Sequence, residues 1–274
     1  MGKRILIALD LEGVNNVVGE AYSGLYPGSA EWEIARRQAA LEVNAAADAL
    51  FAAGAERVAL WDNHAGGGNV DPADLDTRVQ LLMPDKALPR MYFGGEFDCV
   101  CYFGYHAMEG TLGGVLAHTM NSKAVQHYKL NGKYIGEIDM DALIAASHGA
   151  ASCFFAGGDI ACSQAERAVP AIVTVVTKQE ISRNKAVYRE NEMLLEEIKE
   201  RVAEAVSKSV ALRTLEYPAS FEKSFKRVED AALYLERLVA SGVKAAYPCE
   251  EILGKDAHTV VSEIHSIDEF IECI

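Results

Sequence analysis

The chain has 274 residues, 50% of them hydrophobic and 24% charged, which is enough for a packed core in one large domain or two modest ones. Its formal net charge of -14 argues against nucleic acid or an anionic membrane as a partner, because both bind basic surfaces. No stretch approaches the roughly 18 uninterrupted apolar residues of a membrane span, and the apolar run at the N-terminus is too short for a signal peptide. The six cysteines form no C-x-x-C pair, so we expect a cytoplasmic protein without disulfides.

The first predicted element is a buried strand that ends in two carboxylates. Ile5 to Leu9 is an uninterrupted apolar run, and Asp10 and Glu12 follow it directly. Residues i and i+2 of a strand point to the same side, so the two side chains can converge. A carboxylate in an apolar setting needs a partner or a metal ion. The alternative is that the strand simply ends here and both carboxylates face water.

Two further strands also end in groups that can bind a metal. After a helix that starts at Ser29 and runs to Phe51, the strand Arg57 to Trp61 leads to His64. A third strand is predicted at Arg78 to Met83, and a fourth, Phe97 to Phe103, leads to His106. This order predicts an α/β fold with a central, partly parallel sheet flanked by helices.

The carboxyl ends of parallel strands meet at one edge of a sheet, where α/β proteins place their sites. A single histidine is usually structural. Asp10 and Glu12, His64, and His106 end three separate strands, and this coincidence favours a metal site.

A hairpin is predicted next. Val115 to Met120 alternates as a strand does and carries His118, Ala124 to Leu130 is its predicted partner, and Asn131-Gly132 is typical of a two-residue turn. A helix, Ile138 to Ser147, follows. Glu137 in its first turn either stabilises the helix dipole or provides a ligand in the cleft.

The remaining elements extend the sheet and then change in character. Strands are predicted at Cys153 to Ala156 and Ile172 to Val176, with helices at Asp159 to Ala168 and Tyr188 to Ser207. From Val210 the predicted elements are shorter: strands at 210–215, 220–225, 243–246 and 258–264, a helix at 228–240, and a last helix from residue 268. We therefore expect a metal-binding catalytic α/β domain over 1–208 and a smaller C-terminal α+β subdomain over 209–274.

The chemistry of the candidate ligands suits zinc or a similar divalent ion. Five such groups, one of them a bridging carboxylate, can hold two ions and activate a water. The candidates are Asp10, Glu12, His64, His106 and Glu137. His118 is a candidate general acid or base, nucleophile or oxyanion support, although it can also pack on the hairpin or serve as a further ligand.

The sequence resembles the zinc D-aminopeptidase family of the dipeptide-operon type. The resemblance covers roughly the first two-thirds of the chain and rests on short motifs in one order: Asp10-Leu11-Glu12-Gly13, Asp62-Asn63-His64, Phe103-Gly104-Tyr105-His106, Ala117-His118-Thr119-Met120, Asn131 to Glu137, and Lys178 to Arg183.

This resemblance implies a binuclear zinc aminopeptidase that acts on short peptides or amides with an N-terminal D-amino acid such as D-alanine. Asp10 matches the bridging ligand, Glu12, His64, His106 and Glu137 match the other ligands, and His118 matches the catalytic histidine. It also implies a homo-oligomeric ring, such as the decamers of that family, with its active sites in a central channel. Two stretches that flank the predicted cleft depart from the family pattern: Asn15 to Gly28 and Gly66 to Gly68.

Other functions stay open at this point. Another metal-dependent hydrolase, acting on amides or phosphoesters, can use Lys123, Lys178 and Arg183 to hold a phosphate. A nucleotide-binding protein without chemistry calls for a glycine-rich phosphate loop after the first strand, where Asp10-Leu11-Glu12 stands instead. A structural ring-former without activity is the third alternative.

Overall fold

The fold is built on two sheets, seen in a computed structural model that describes residues 2–21, 24–82, 90, 96–248 and 257–274. Its strands are β1 Arg4–Leu9, β2 Arg57–Asp62, β3 Gln80–Leu82, β4 Cys99–Tyr105, β5 Val125–Leu130, β6 Lys133–Ile135, β7 Ala151–Gly158, β8 Val173–Ser182, β9 Lys185–Tyr188, β10 Ala219–Phe225, β11 Lys244–Ala246 and β12 Thr259–Ile264. Its helices are α1 Ala30–Ala52, α2 Glu137–Ser147, α3 Asp159–Ala168, α4 Asn191–Ser207, α5 Val228–Ser241 and α6 Ile267–Cys273.

The larger sheet has the order β3-β2-β1-β4-β7-β8-β9 and is parallel except for β9, which runs antiparallel to β8. The β1 strand lies at its centre, and every residue of β1 after Arg4 is buried. Ile5, Ile7 and Leu9 pack with α1 and α4 on one face, while Leu6 and Ala8 face the core on the other side. This burial on both faces explains the continuous apolar run. The expected α/β fold is confirmed.

The smaller sheet is antiparallel, with the order β11-β12-β10-β5-β6. It combines the β5–β6 hairpin with three strands from the C-terminal part of the chain, so it draws strands from both sides of the predicted boundary at residue 208. The division into 1–208 and 209–274 stays a proposal, and the shared sheet fixes how the two parts contact each other.

The predicted strand Val115 to Met120 is wrong. Leu116 and Met120 have positive φ angles of 50° and 61°, which no regular strand accommodates. The backbone hydrogen bonds of this segment are not part of a strand pairing. Leu116 N donates to Arg183 O at 2.9 Å, and His118 N donates to Ala107 O at 3.2 Å. The β5 strand pairs instead with β6 and β10.

Three smaller differences concern the later part of the chain. The predicted strand at 210–215 is irregular, and Arg213 there donates to Asp139 O at 2.7 Å. The β8 strand extends to Ser182, beyond its predicted end. The predicted helix from Tyr188 begins later, at Asn191, because Lys185–Tyr188 form β9 against β8.

The remaining expectations concern the end of the third predicted strand, the cysteines and membrane-spanning segments. Met83, the end of the third predicted strand, and Cys249 lie outside the described residues. The five described cysteines are free and buried. Among the helices that the structure describes, none combines the length and the apolar character needed to cross a bilayer.

Candidate metal centre

The centre begins where β1 and β4 end side by side. Asp10 N donates to Phe103 O at 2.8 Å, and Gly13 N donates to Gly104 O at 2.6 Å. The backbones approach so closely that a Cβ on Gly104 would lie 1.9 Å from Asp10 O, and one on Gly13 would lie 2.0 Å from Tyr105 O. Only glycine fits at these two positions. The two glycines therefore let Asp10, Glu12 and His106 leave neighbouring strands into one space.

Asp10, Glu12 and His64 form one side of the centre. The Nδ1 atom of His64 lies 3.0 Å from Asp10 Oδ1 and 3.1 Å from Glu12 Oε2. Each of the three residues is at most 7% exposed. The prediction that Asp10 and Glu12 converge is confirmed by this shared contact.

His106, Glu137 and His118 form the other side. The Nε2 atom of His106 lies 3.4 Å from Asp10 Oδ2 and 3.6 Å from Glu137 Oε1. The ring of His118 stacks on that of His106, with centroids 4.0 Å apart. Glu137 occupies the first turn of α2, where its Oε1 also accepts a hydrogen bond from Met120 N at 2.7 Å. All six predicted site residues are therefore brought together.

Hydrogen bonds to the backbone set the tautomers of two histidines. His106 Nδ1 lies 3.0 Å from Ala107 O, and His118 Nδ1 lies 2.9 Å from Leu116 O. A carbonyl oxygen can only accept, so Nδ1 carries the proton in both rings. When the rings are neutral, the lone pair is on Nε2, which is the arrangement that a metal-binding or proton-transferring histidine needs.

The electrostatics of the centre follow from burial and close opposite charges. Burial alone would raise the pKa of Asp10, but His106 and His64 hold it well below its usual value. Burial alone would lower the pKa of the two histidines. The carboxylates around them instead raise the pKa of His64 to about 11, mainly through Glu12 and Asp10, and that of His106 to about 10, mainly through Asp10 and Glu137. Without a metal, the carboxylates thus hold protons on the imidazoles.

The donor set fits a divalent metal ion. Two overlapping groups of ligand atoms, each within 4.8 Å of one another, are formed by Asp10, Glu12 and His106 and by His106, His118 and Glu137. The buried Nε2 atoms of His64 and His106 have no hydrogen-bond partner among the described residues. A buried polar atom without a partner is costly, and a metal ion that binds His106 Nε2 would remove that cost. His64 belongs to neither group, and the atom that it turns toward Asp10 and Glu12 is Nδ1.

Sequence reasoning missed the residues that hold the ligands in place. The carboxylate of Asp62 accepts hydrogen bonds from Asn69 N, Asn69 Nδ2 and Val70 N, and Asn69 Nδ2 also donates to His64 O at 2.7 Å. These bonds fold the glycine-rich loop back onto β2 and fix the backbone of His64. Asp62 belongs to the motif Asp62-Asn63-His64, but its hydrogen bonds to Asn69 and Val70 depend on the conformation of the loop after β2, which the sequence does not reveal.

Two cations, Lys178 and Arg90, support the backbone and the side chains of the centre. Lys178, which is 0% exposed, donates from Nζ to Glu12 O, Val14 O and Val17 O at 2.6, 2.9 and 2.6 Å. Arg90 forms a two-point ion pair with Asp141 at 2.5 and 2.6 Å, and its Nη2 lies 3.9 Å from Glu137 Oε2. No local sequence signal points to either interaction.

The centre opens into a cavity of about 630 Å³. Its walls include Leu25, Tyr26, Leu116 and Met120, together with Lys123 and Arg183. The size is that of a small-molecule site rather than of a groove for a long polymer.

Comparisons with known proteins identify the family and the fold. The sequence model of the Peptidase M55 family, described as D-aminopeptidase, matches residues 3–240. A D-aminopeptidase from Bacillus subtilis is 27% identical over 183 residues, which is 66% of this chain, and the match spans 65% of that relative's length. The solved structure of the Zn-dependent D-aminopeptidase DppA from Bacillus subtilis, described as a self-compartmentalizing protease, superposes with a TM-score of 0.84 at 22% identity, covering 98% of this chain and 94% of that one.

The structural likeness establishes the fold, and the family match extends over most of the chain, through every candidate ligand and past the end of α4. The resemblance that the strand-end motifs indicated is thereby confirmed, and this chain belongs to the D-aminopeptidase family, Peptidase M55.

Proposed function

We propose that this protein is a binuclear zinc aminopeptidase that releases N-terminal D-amino acids, such as D-alanine, from short peptides or amides. The observation that carries the proposal is the convergence of Asp10, Glu12, His64, His106 and Glu137, with His118 beside them, at one cavity. Membership of the D-aminopeptidase family and the fold shared with a Zn-dependent enzyme support it.

Asp10 lies between the two halves of the donor set, with Oδ1 facing His64 and Oδ2 facing His106. We therefore assign Asp10 as the bridging ligand of two zinc ions, Glu12 and His64 as ligands on one side, and His106 and Glu137 as ligands on the other. Bound zinc polarises a carbonyl group and supplies a nucleophile from water at neutral pH.

His118 is assigned to proton transfer. Its Nδ1 proton is held by Leu116 O, so Nε2 is the atom that exchanges a proton with the substrate. Hydrolysis of a peptide bond adds water across the C–N bond, and the departing nitrogen must receive a proton to leave as an amine. A histidine next to the ligands is placed to deliver that proton.

The assembly and location belong to the same proposal. The similar DppA is described as a self-compartmentalizing protease, which supports a homo-oligomeric ring for this chain. We propose that the ring is a decamer and that it is cytoplasmic. Sedimentation of the purified protein tests the ring, and a monomer at micromolar concentration contradicts it.

The activity is tested with zinc-loaded protein on D-Ala-D-Ala and L-Ala-L-Ala, with p-nitrophenyl phosphate as a third substrate. We expect release of D-alanine at a kcat/KM at least about tenfold above that for the L-peptide, a difference of about 1.4 kcal/mol in transition-state binding. Equal cleavage of both peptides overturns the D-preference. Cleavage of the phosphoester alone assigns the centre to another class of metal-dependent hydrolase.

A further inference from the structure

The cavity beside the metal centre has two chemically different parts. The metal ligands form the acidic part, and Lys123 and Arg183 line the same cavity. Both cations are exposed, and neither has a carboxylate within ion-pair distance in the described part of the chain. The third lining cation, Arg90, is different because Asp141 neutralises it.

Arg183 is fixed next to His118. It follows β8 directly, and its Nη1 donates to Ala117 O at 2.8 Å while its own carbonyl accepts from Leu116 N at 2.9 Å. A guanidinium group has five N–H donors. This single side-chain hydrogen bond to the described residues leaves the other N–H donors of a residue that lines the cavity available to a ligand.

Lys123 is the second free cation. The carboxamide of Asn121 accepts a hydrogen bond from its backbone N at 3.0 Å, but its Nζ has no partner among the described residues. Lys178, which the sequence also suggested as an anion-binding group, is buried and fully used by three backbone carbonyls. Among the described residues, the cations available to a ligand in this cavity are therefore Lys123 and Arg183.

The position of Arg183 identifies the part of the substrate that it meets. If His118 protonates the departing nitrogen, the leaving amino acid lies on the His118 side of the cavity, where Arg183 is held. In a dipeptide this amino acid carries the C-terminal carboxylate, which lies about 3.6 Å, one residue length, beyond the scissile bond. An arginine fork is the preferred partner of a carboxylate.

We propose that Arg183, assisted by Lys123, binds the C-terminal carboxylate of the substrate, so that the enzyme selects di- and tripeptides with a free carboxyl end over peptides with a blocked end. This inference rests on the proposed aminopeptidase function and adds the substrate class. Arg183 and Lys123 are specificity-determining residues and take no part in the bond cleavage itself.

The test compares D-Ala-Gly with D-Ala-glycinamide, which differ only in the charge at the C-terminus. The kcat/KM of each is measured for wild type, Arg183→Gln and Lys123→Gln. Lys185→Gln is the matched control, because Lys185 lies in the same β8–β9 hairpin, is exposed and does not line the cavity. Lys123→Gln removes no side-chain hydrogen bond within the described residues, so loss of folding does not account for its effect.

For wild type we expect kcat/KM to be at least about tenfold higher for the free acid than for the amide. Both cavity variants should lose this preference through a higher KM for the acid that the amide does not share, and Lys185→Gln should keep it. Equal cleavage of acid and amide by wild type overturns the inference alone. An equal loss of kcat/KM on both substrates in Arg183→Gln and Lys123→Gln also overturns it, because such a loss indicates that the two side chains have a structural role. Cleavage of neither substrate overturns the proposed function together with the inference.

Discussion

The imidazole rings of His106 and His118 stack face to face, with centroids 4.0 Å apart and planes inclined by 12°. His106 faces Asp10 and Glu137 through Nε2, whereas His118 lines the cavity. The stack therefore places His118, the proposed proton-transferring group, beside His106, a proposed metal ligand, and limits the rotation of the His118 ring.

Replacing His118 with Ala should show whether His118 transfers protons or binds metal. We expect zinc content near that of wild type and a turnover at least about 100-fold lower, because a general acid or base contributes about that much. Zinc content and D-Ala-D-Ala hydrolysis are measured together, with His265→Ala as the control, since His265 is exposed and outside the cavity. Loss of zinc in His118→Ala would make His118 a ligand, consistent with its geometric grouping with His106 and Glu137.

Lys178 should prove to be a positioning residue for Glu12. In Lys178→Met three buried carbonyl oxygens, those of Glu12, Val14 and Val17, lose their donor. A buried acceptor without a partner costs about 1–3 kcal/mol, so the free energy of unfolding should fall by at least about 2 kcal/mol. Zinc affinity should fall as well, because the backbone of Glu12, a proposed ligand, is released.

Urea unfolding and zinc titration check both effects of Lys178→Met. Lys199→Met serves as the control, since Lys199 pairs only with Glu196 on the exposed side of α4. A variant with wild-type stability and wild-type zinc affinity would show that the loop after β1 holds its conformation without the ammonium group.

Glu42 should make the stability of the metal-free protein depend on pH. Its side chain is 0% exposed, and burial raises its pKa from 4.5 to about 7 against the hydrogen bonds from Asn15 and Gln38. Between pH 4.5 and about 7 the folded state then binds more protons at this site than the unfolded state, so the contribution of Glu42 to stability falls as pH rises.

Glu42→Gln removes that titration. Its free energy of unfolding, relative to wild type, should increase between pH 4.5 and 8 by up to about 3 kcal/mol, as 1.36 kcal/mol per pKa unit implies. Urea unfolding with chelator present, at several pH values, measures the difference. A difference that is constant over this range would show that Glu42 stays ionised in the folded protein.

The candidate ligands at the strand ends were predictable because neighbouring residues in the sequence indicate them. In Ile5 to Leu9 and Arg57 to Trp61, a buried apolar run is interrupted abruptly by ligand-type residues, and parallel strands bring such ends together. The same holds for Glu137, which marks the start of α2.

The segment that carries His118 was not predictable in this way. Its alternation indicated a strand, but its backbone is set by distant partners, with Arg183 O and Ala107 O accepting from Leu116 N and His118 N. The roles of Lys178 and of the Arg90–Asp141 pair likewise exist only after residues separated by many positions have met. Sequence periodicity carries no information about such contacts.

The central claim, a pair of zinc ions bridged by Asp10, is tested most directly by elemental analysis of metal per chain in wild type and Asp10→Ala. Asp74→Ala is the control, because Asp74 is exposed and outside the cavity. We predict close to two zinc ions per chain in wild type and in Asp74→Ala, and a sharp loss in Asp10→Ala together with its activity. Wild-type protein that binds no metal, when purified without chelator and then offered zinc, would contradict the account.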